Sequence, residues 1–160
     1  MAAAAPLAHA GSRNSRRQPE PYPGYAIVVN NCQDSIYLWS IGSTVGPQVR
    51  IDRGANYTER MHYDPGSGGV TLRITSGANG LCFAEPQMIF AYTLKGIQVY
   101  YSLADLYGDP FRGRRVALVT SGVHTPNPPC NDIVWERGVS PGPVSPRICF
   151  FGSNLTLTVC

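Results

Sequence analysis

The feature that most constrains this chain is a series of short apolar runs separated by turn-forming residues. The chain has 17 Gly and 14 Pro among 160 residues, which leaves little room for long helices. Strand-like runs recur at a spacing of about ten residues, at 25–30, 36–42, 48–52, 69–75, 87–94, 97–103, 115–120, 132–136, 147–151 and 154–159. This pattern predicts an all-β domain of about nine or ten strands.

The final run shows the clearest strand periodicity. In the segment 154–160, Leu155, Leu157 and Val159 alternate with polar residues, which predicts a half-buried antiparallel strand. A single open sheet without helices would leave an apolar face in water, so we expect a β-sandwich of two antiparallel sheets. The segment 102–107 is the only helix-like stretch, and we expect one helical turn there at most.

The charge distribution argues against a nucleic-acid partner. The formal net charge is +3, but Arg13, Arg16 and Arg17 lie in a segment without Asp or Glu, and ten basic residues balance ten acidic ones beyond it. A neutral body offers no electrostatic footprint for phosphate backbones. Aliphatic runs of four or five residues are also too short to span a membrane, so we expect no membrane insertion.

The first 21 residues are predicted to be a disordered leader or pro-segment. They contain an alanine run with the small-residue spacing of the end of a signal peptide, but no adequate apolar core. The dibasic pair at 16–17 is either a processing site or two solvated arginines. Residues 22–160 are predicted to form a single domain, which we expect to be a monomer.

Two features favour an oxidising, extracellular compartment. The sequons that begin at Asn56 and Asn154 match the acceptor pattern for N-glycosylation. Five cysteines are spread along the chain without metal-binding spacing, which suits long-range disulfides. We therefore expect a secreted protein without a metal site or cofactor, glycosylated at Asn56 and Asn154.

Several motifs carry a resemblance to a known family. The residues are 28–32 (VVNNC), 37–39 (YLW), 64–65 (DP), 68–70 (GGV), 85–87 (EPQ), 103–111 (LADLYGDPF) and 157–160 (LTVC). Their order and spacing resemble thaumatin-like proteins, and more closely the small fungal branch, the CetA-like or Blastomyces yeast-phase-specific family. The resemblance covers residues 25–160 and implies a disulfide-stabilised thaumatin-like β-sandwich.

The resemblance also implies a disulfide pattern. It joins Cys32 to Cys160 and leaves Cys130 and Cys149 as the second pair. Cys82 is then a free thiol, and its setting between Leu81 and Phe83 predicts burial.

Larger thaumatin-like proteins have an acidic cleft that binds β-glucans and in some members is linked to weak glucanase activity. At two positions where the resemblance implies acids, this chain has Ala91 and Ser102. Asp105 and Asp109 remain, although both also suit turn positions. The candidate ligand-binding residues are Asp105, Asp109, Asp64, Arg60 and Tyr101; no catalytic residue is assigned.

Other chemistries have less support. Cys82 with His62 or His124 lacks an orienting partner for nucleophilic catalysis, and these histidines with Asp64 lack a metal-ligand spacing. The resemblance therefore favours a non-catalytic fungal protein that binds a cell-wall glycan such as β-glucan, or a protein at a host or competitor surface. The alternatives are a weak β-1,3-glucanase, an antimicrobial protein acting on fungal walls and an expansin-like loosening protein.

Overall fold

A computed structural model of the chain describes residues 22–122 and 130–160. Within these ranges the chain forms eleven β-strands in two sheets, and no helix. The predicted all-β sandwich is confirmed.

The five-stranded sheet consists of β1 (Tyr25–Asn30), β4 (Asn56–Arg60), β8 (Val116–Ser121), β9 (Ile133–Trp135) and β11 (Asn154–Val159). Its strand order is β4-β1-β11-β8-β9. The six-stranded sheet consists of β2 (Ile36–Ile41), β3 (Val49–Ile51), β5 (Val70–Thr75), β6 (Gln87–Lys95), β7 (Gln98–Leu106) and β10 (Arg147–Phe150). Its strand order is β10-β7-β6-β5-β2-β3.

The core lies between the two sheets. Leu155, Leu157 and Val159 of β11 are fully buried, as their alternation predicted. They belong to the same buried cluster as Leu72 and Phe90 of the other sheet. Since alternate residues of each strand enter this core, the remaining ones form the two outer faces.

One strand pair departs from the predicted antiparallel arrangement. β1 and β11 pair in parallel, with Val28 opposite Leu157, while β11 pairs antiparallel with β8. Parallel neighbours need a long connection, and here the rest of the domain separates the first strand from the last. The five-stranded sheet is therefore mixed.

Strand β4 was not predicted, because its sequence NYTER has no aliphatic residue. It forms the edge of the five-stranded sheet, where Tyr57 and Glu59 are half-buried and the alternate residues are exposed. An edge strand of this kind buries too little apolar surface to show a hydrophobic alternation.

The segment 102–107, where at most one helical turn was expected, forms none and is mostly strand. β7 continues to Leu106, and Asp105 and Leu106 pair with Met88 and Gln87 of β6. The strand ends where Tyr107 and Gly108 adopt positive φ angles. The hydrogen-bonded ladder of the long strand β6 overrides the local preference of a short segment.

Both disulfides implied by the resemblance are present, Cys32–Cys160 and Cys130–Cys149. The expected burial of Cys82 is wrong, because its thiol is free and the residue is exposed. The neighbouring Phe83 is also 74% exposed. This segment consists of consecutive turns rather than a strand, so neither side chain is directed into the core.

Some predictions fall outside the described residues. The leader with its dibasic pair and His124 lie there. Nothing in the described part of the chain forms a helix of the length and apolarity that a membrane crossing requires.

Candidate functional site

The outer face of the six-stranded sheet brings together the two positions at which acids were expected. Ala91 of β6 lies directly opposite Ser102 of β7 and also opposite Thr71 of β5. Side chains at opposite positions of antiparallel strands have Cβ atoms about 5 Å apart. The two positions at which acids were expected are therefore neighbours on the sheet. They carry the methyl group of Ala91 and the hydroxyl of Ser102.

A shallow depression of about 520 Å³ covers this face. A smaller one of about 70 Å³ adjoins it over β7, and the two share Ala91, Tyr92 and Thr93. We call the two depressions together the sheet groove. Its lining residues are Ile41, Gly42, Ser67, Gly68, Gly69, Val70, Thr71, Arg73, Ala91, Tyr92, Thr93, Tyr100, Tyr101, Ser102 and Pro146.

Arg73 brings a positive charge to the sheet groove. Its Nη1 donates a hydrogen bond of 3.2 Å to Oε1 of Gln87, and its buried Nε has no hydrogen-bond partner. None of the ion pairs found among the described residues involves Arg73. A cation without a carboxylate partner favours ligands that present acceptor oxygens, such as polyols.

The loop that borders the sheet groove is held by Asp64. Its carboxylate accepts hydrogen bonds from the backbone N–H groups of Ser43, Gly66 and Ser67 and from Oγ of Ser43. These bonds lower the pKa of Asp64, the one from the Ser43 backbone most strongly. Asp64 therefore ties its own loop to Ser43 of the loop after β2, and these donors occupy its acceptor capacity.

Gly69 is required where this loop meets the sheet. A Cβ at this position would lie 2.3 Å from Oγ1 of Thr93 and 3.0 Å from the carbonyl oxygen of Tyr92. The close approach brings the rim of the loop directly onto β6.

A second cavity, which we call the edge pocket, adjoins the groove at Ser102. It has a volume of about 230 Å³ and lies between β7, β9 and the segment 141–147. Asp132 and Arg147 are its charged lining residues. Oδ1 of Asp132 accepts a 2.9 Å hydrogen bond from the backbone N–H of Thr120, which ties this wall to β8.

Asp105 and Asp109 lie close together at the end of β7. Burial, and after it the neighbouring carboxylate of Asp109, raises the pKa of Asp105 to about 7. Neither carboxylate oxygen of Asp105 has a hydrogen-bond partner. Asp109 is engaged with Arg112 and with the backbone N–H of Ser140. Because Asp105 faces the core side of β7 opposite the buried Met88, the pair lies off the face that carries the groove.

The remaining candidates are Arg60 and Tyr101. Arg60 is exposed on the five-stranded sheet. Its Nη2 donates a hydrogen bond of 2.8 Å to the hydroxyl of Tyr25. Its guanidinium also lies 5.4 Å from the ring centroid of Tyr22 and 5.0 Å from that of Tyr25. Tyr101 is only 1% exposed, and its hydroxyl donates 2.6 Å to the carbonyl of Asn131. The ring of this candidate residue therefore faces the core, and the adjacent Tyr100 takes the outer position.

One carboxylate was missed by the sequence reasoning. Glu59 accepts hydrogen bonds from the hydroxyls of Tyr57 at 2.6 Å and Tyr92 at 2.5 Å, and so joins the two sheets. Burial is the main cause that raises the pKa of both tyrosines, and the Glu59 bonds add to it. Nδ1 of His62 lies 3.3 Å from the hydroxyl of Tyr92. This cluster stabilises the sandwich edge rather than offering an open ligand site.

The five candidates thus do not form one site. The structure brings Asp105 and Asp109 together, places Asp64 under the groove rim, and places Arg60 on the other sheet. Tyr101 contributes to the groove lining but has its ring in the core. The groove residues Thr71, Arg73 and Thr93 were not singled out from the sequence. Their alternation with buried Val70, Leu72 and Tyr92 was a signal that could have placed them together on an outer face.

Comparison with known proteins gives a family and several relatives. The family model described as Blastomyces yeast-phase-specific protein matches residues 19–160. An antigenic thaumatin-like protein of Arthroderma benhamiae is 27% identical over 117 residues, which are 72% of this chain and 55% of that protein. The secreted thaumatin-like protein calA of Emericella nidulans is 26% identical over 103 residues, 64% of this chain and 58% of that one. The chain spans a little more than half the length of these two relatives.

A solved structure has the same architecture. The crystal structure of the protein elicitor MoHrip2 from Magnaporthe oryzae matches with a TM-score of 0.66 and 26% sequence identity. The match covers 86% of this chain and 98% of that one.

Proposed function

Since the chain belongs to the Blastomyces yeast-phase-specific protein family of fungal thaumatin-like proteins, we propose that it is secreted and binds a neutral cell-wall glycan without cleaving it. The ligand lies in the sheet groove, and β-1,3-glucan is its first candidate. Secretion is supported by the relative named as secreted and by two disulfides, which persist in oxidising compartments.

The observation that carries the proposal is the pairing of Ala91 with Ser102 at the centre of the groove. The Cβ atoms of such a pair are about 5 Å apart, so two carboxylates attached there would be near enough to work together as the acid and nucleophile of a retaining glycosidase. Here the pair offers a methyl group and a hydroxyl. The spot can contact a sugar ring but cannot supply an acid and a nucleophile.

No Asp or Glu lines the groove within the ranges 22–122 and 130–160. Asp132 in the edge pocket is a lone carboxylate held by Thr120. The hydroxyls of Thr71, Thr93 and Ser102 and the guanidinium of Arg73 instead offer hydrogen bonds to sugar oxygens. These groups support binding rather than hydrolysis.

A sedimentation assay tests this function. The 160-residue chain is incubated with insoluble β-1,3-glucan, with chitin and with fungal cell walls, and both bound protein and released reducing sugar are measured. We expect retention on β-1,3-glucan and on walls without release of sugar. Absence of retention on all three overturns the glycan assignment, while release of sugar overturns the non-catalytic role.

A matched pair of variants localises the contact. Ala91→Trp fills the centre of the sheet groove, and we expect about a tenfold loss of affinity, equivalent to about 1.4 kcal/mol. Ala104→Trp places the same side chain at an exposed position on the same face of β7, outside the groove lining. This control should bind like the wild type, and equal losses in both variants would contradict a site in the groove.

A protein ligand at a host surface is the second candidate. The similar solved structure is that of a protein elicitor, and the match with this chain covers 98% of the elicitor. If glycan sedimentation fails, cross-linking of the chain to intact host cells tests this alternative, with Ala91→Trp and Ala104→Trp as the same pair of probes.

A further inference from the structure

Both N-glycosylation sequons lie on the outer face of the five-stranded sheet. Asn56 and Thr58 alternate with the inward Tyr57 on β4, and Asn154 and Thr156 alternate with the buried Leu155 on β11. The register places Asn56 opposite Val29 of β1. At the other end of β1, the N–H of Tyr25 donates 2.9 Å to Oδ1 of Asn154.

The two sequons lie at opposite ends of this face. From Tyr25 to Val29 a strand advances about 13 Å, and β4 and β11 flank β1 about 10 Å apart. Two branched oligosaccharides at these points could together extend over the area between them.

The same face exposes apolar side chains. Val119 of β8 and Val134 of β9 are 39% and 40% exposed, and Ile27 and Val29 of β1 are partly exposed. The groove on the other sheet contains no sequon. These apolar side chains share the outer face with both sequons, so a glycan at each sequon would lie over part of the exposed apolar surface.

We propose that Asn56 and Asn154 carry N-linked glycans that shield the outer face of the five-stranded sheet and leave the sheet groove free for its ligand. This inference rests on secretion, as stated under the proposed function, and not on the nature of the ligand.

The chemistry of attachment fits both residues. An oligosaccharyl group moves from a lipid-linked pyrophosphate donor to the side-chain amide: a bond forms between C1 of the sugar and Nδ2, and the C1–O bond to the pyrophosphate breaks. The amide nitrogen loses one proton and the lipid pyrophosphate leaves. At Asn154 the bond to Tyr25 uses Oδ1, so it does not compete for the nitrogen that carries the glycan.

To test this, the 160-residue chain is expressed in yeast with a yeast signal peptide fused to its N-terminus. The mass of the secreted protein is measured before and after endoglycosidase treatment. We expect the wild type to lose two glycans and Thr58→Ala and Thr156→Ala to lose one each. Thr158→Ala, on the same strand and face as Thr156 but outside a sequon, should lose two. An unchanged wild-type mass overturns the modification.

Shielding has its own readout. Endoglycosidase leaves a single sugar on each asparagine, so the polypeptide itself is unchanged. We expect the trimmed protein to bind more of the apolar dye ANS while retaining its sedimentation with β-1,3-glucan. Unchanged dye binding overturns the shielding of the face, and loss of glucan sedimentation on trimming overturns the separation of the two faces. Because the host signal directs secretion, the mass and dye results do not depend on whether the glucan assignment is correct, and only the sedimentation readout requires it.

Discussion

Asp64 and Asp105 are the same residue type in opposite environments. Asp64 lies in an exposed loop where backbone and hydroxyl donors surround its carboxylate and lower its pKa. Asp105 is half-buried at the end of β7, its oxygens lack hydrogen-bond partners, and its pKa is raised to about 7. The charged form is stabilised in the first case and destabilised in the second.

The comparison shows that an aspartate in a turn-rich segment is not by itself a ligand-binding group. Asp64 organises the rim of the sheet groove without an acceptor site left over for a sugar. The carboxyl group of Asp105 lies beside that of Asp109 and stays protonated up to near-neutral pH. The first contributes to the geometry of the sheet groove, and the second to the pH dependence of stability.

The largest expected effect is a loss of stability between pH 4 and pH 7. In that range the folded protein keeps a proton on Asp105 that the unfolded chain, with an ordinary pKa of about 3.9, has released. The free energy of unfolding therefore falls as pH rises through this window and levels off above it. A shift of about three pKa units corresponds to about 4 kcal/mol, and partial solvent screening reduces this to about 1–2 kcal/mol. Urea titrations at pH 4.5 and pH 8 measure the difference.

Asp105→Asn should remove this dependence. The amide cannot ionise, so we expect the variant to be about 1–2 kcal/mol more stable than the wild type at pH 8 and to have a flatter profile between pH 4 and pH 7. Chemical denaturation of both proteins across this range provides the measurement. A variant that keeps the wild-type slope would show that another group causes it.

Asp64→Ala should affect both stability and binding. Removal of the carboxylate leaves the backbone donors of its loop without their acceptor, so we expect the melting temperature to fall by about 2–4 °C and glucan affinity to fall with it. Asp52→Ala is the matched control, because Asp52 is also exposed and bonded to Ser35 and Arg50 but lies away from the groove. Equal losses of glucan affinity in Asp64→Ala and Asp52→Ala would contradict a specific role of Asp64 at the sheet groove.

Asp109→Asn should have the smallest effect. Without the neighbouring charge the pKa of Asp105 is raised less, so the total loss of stability between pH 4 and pH 7 should be smaller by about 0.5 kcal/mol. The loss of the ion pair costs little at any pH, because Arg112 is exposed and the amide oxygen of Asn can still accept the hydrogen bond from the Ser140 N–H. An unchanged slope would assign the shift of Asp105 to burial alone.

The periodic parts of the fold were predictable, and the isolated positions were not. The alternation of Leu155, Leu157 and Val159 fixed the face of β11 because burial follows a period of two. The pairing of Ala91 with Ser102 depends on the register between strands, which one sequence does not reveal. Cys82 was expected to be buried because its neighbours are apolar, but side chains in consecutive turns need not face the core.

The most direct test of the account is an NMR titration of the ¹⁵N-labelled chain with a β-1,3-linked glucose oligosaccharide. We predict that the shifted amide signals cluster at residues 67–73, 91–93 and 100–102, which line the sheet groove, while signals around Asp105 and Asp109 stay in place. Shifts confined to the neighbourhood of those two aspartates or to the five-stranded sheet, or no shifts at all, would contradict the groove as the ligand site.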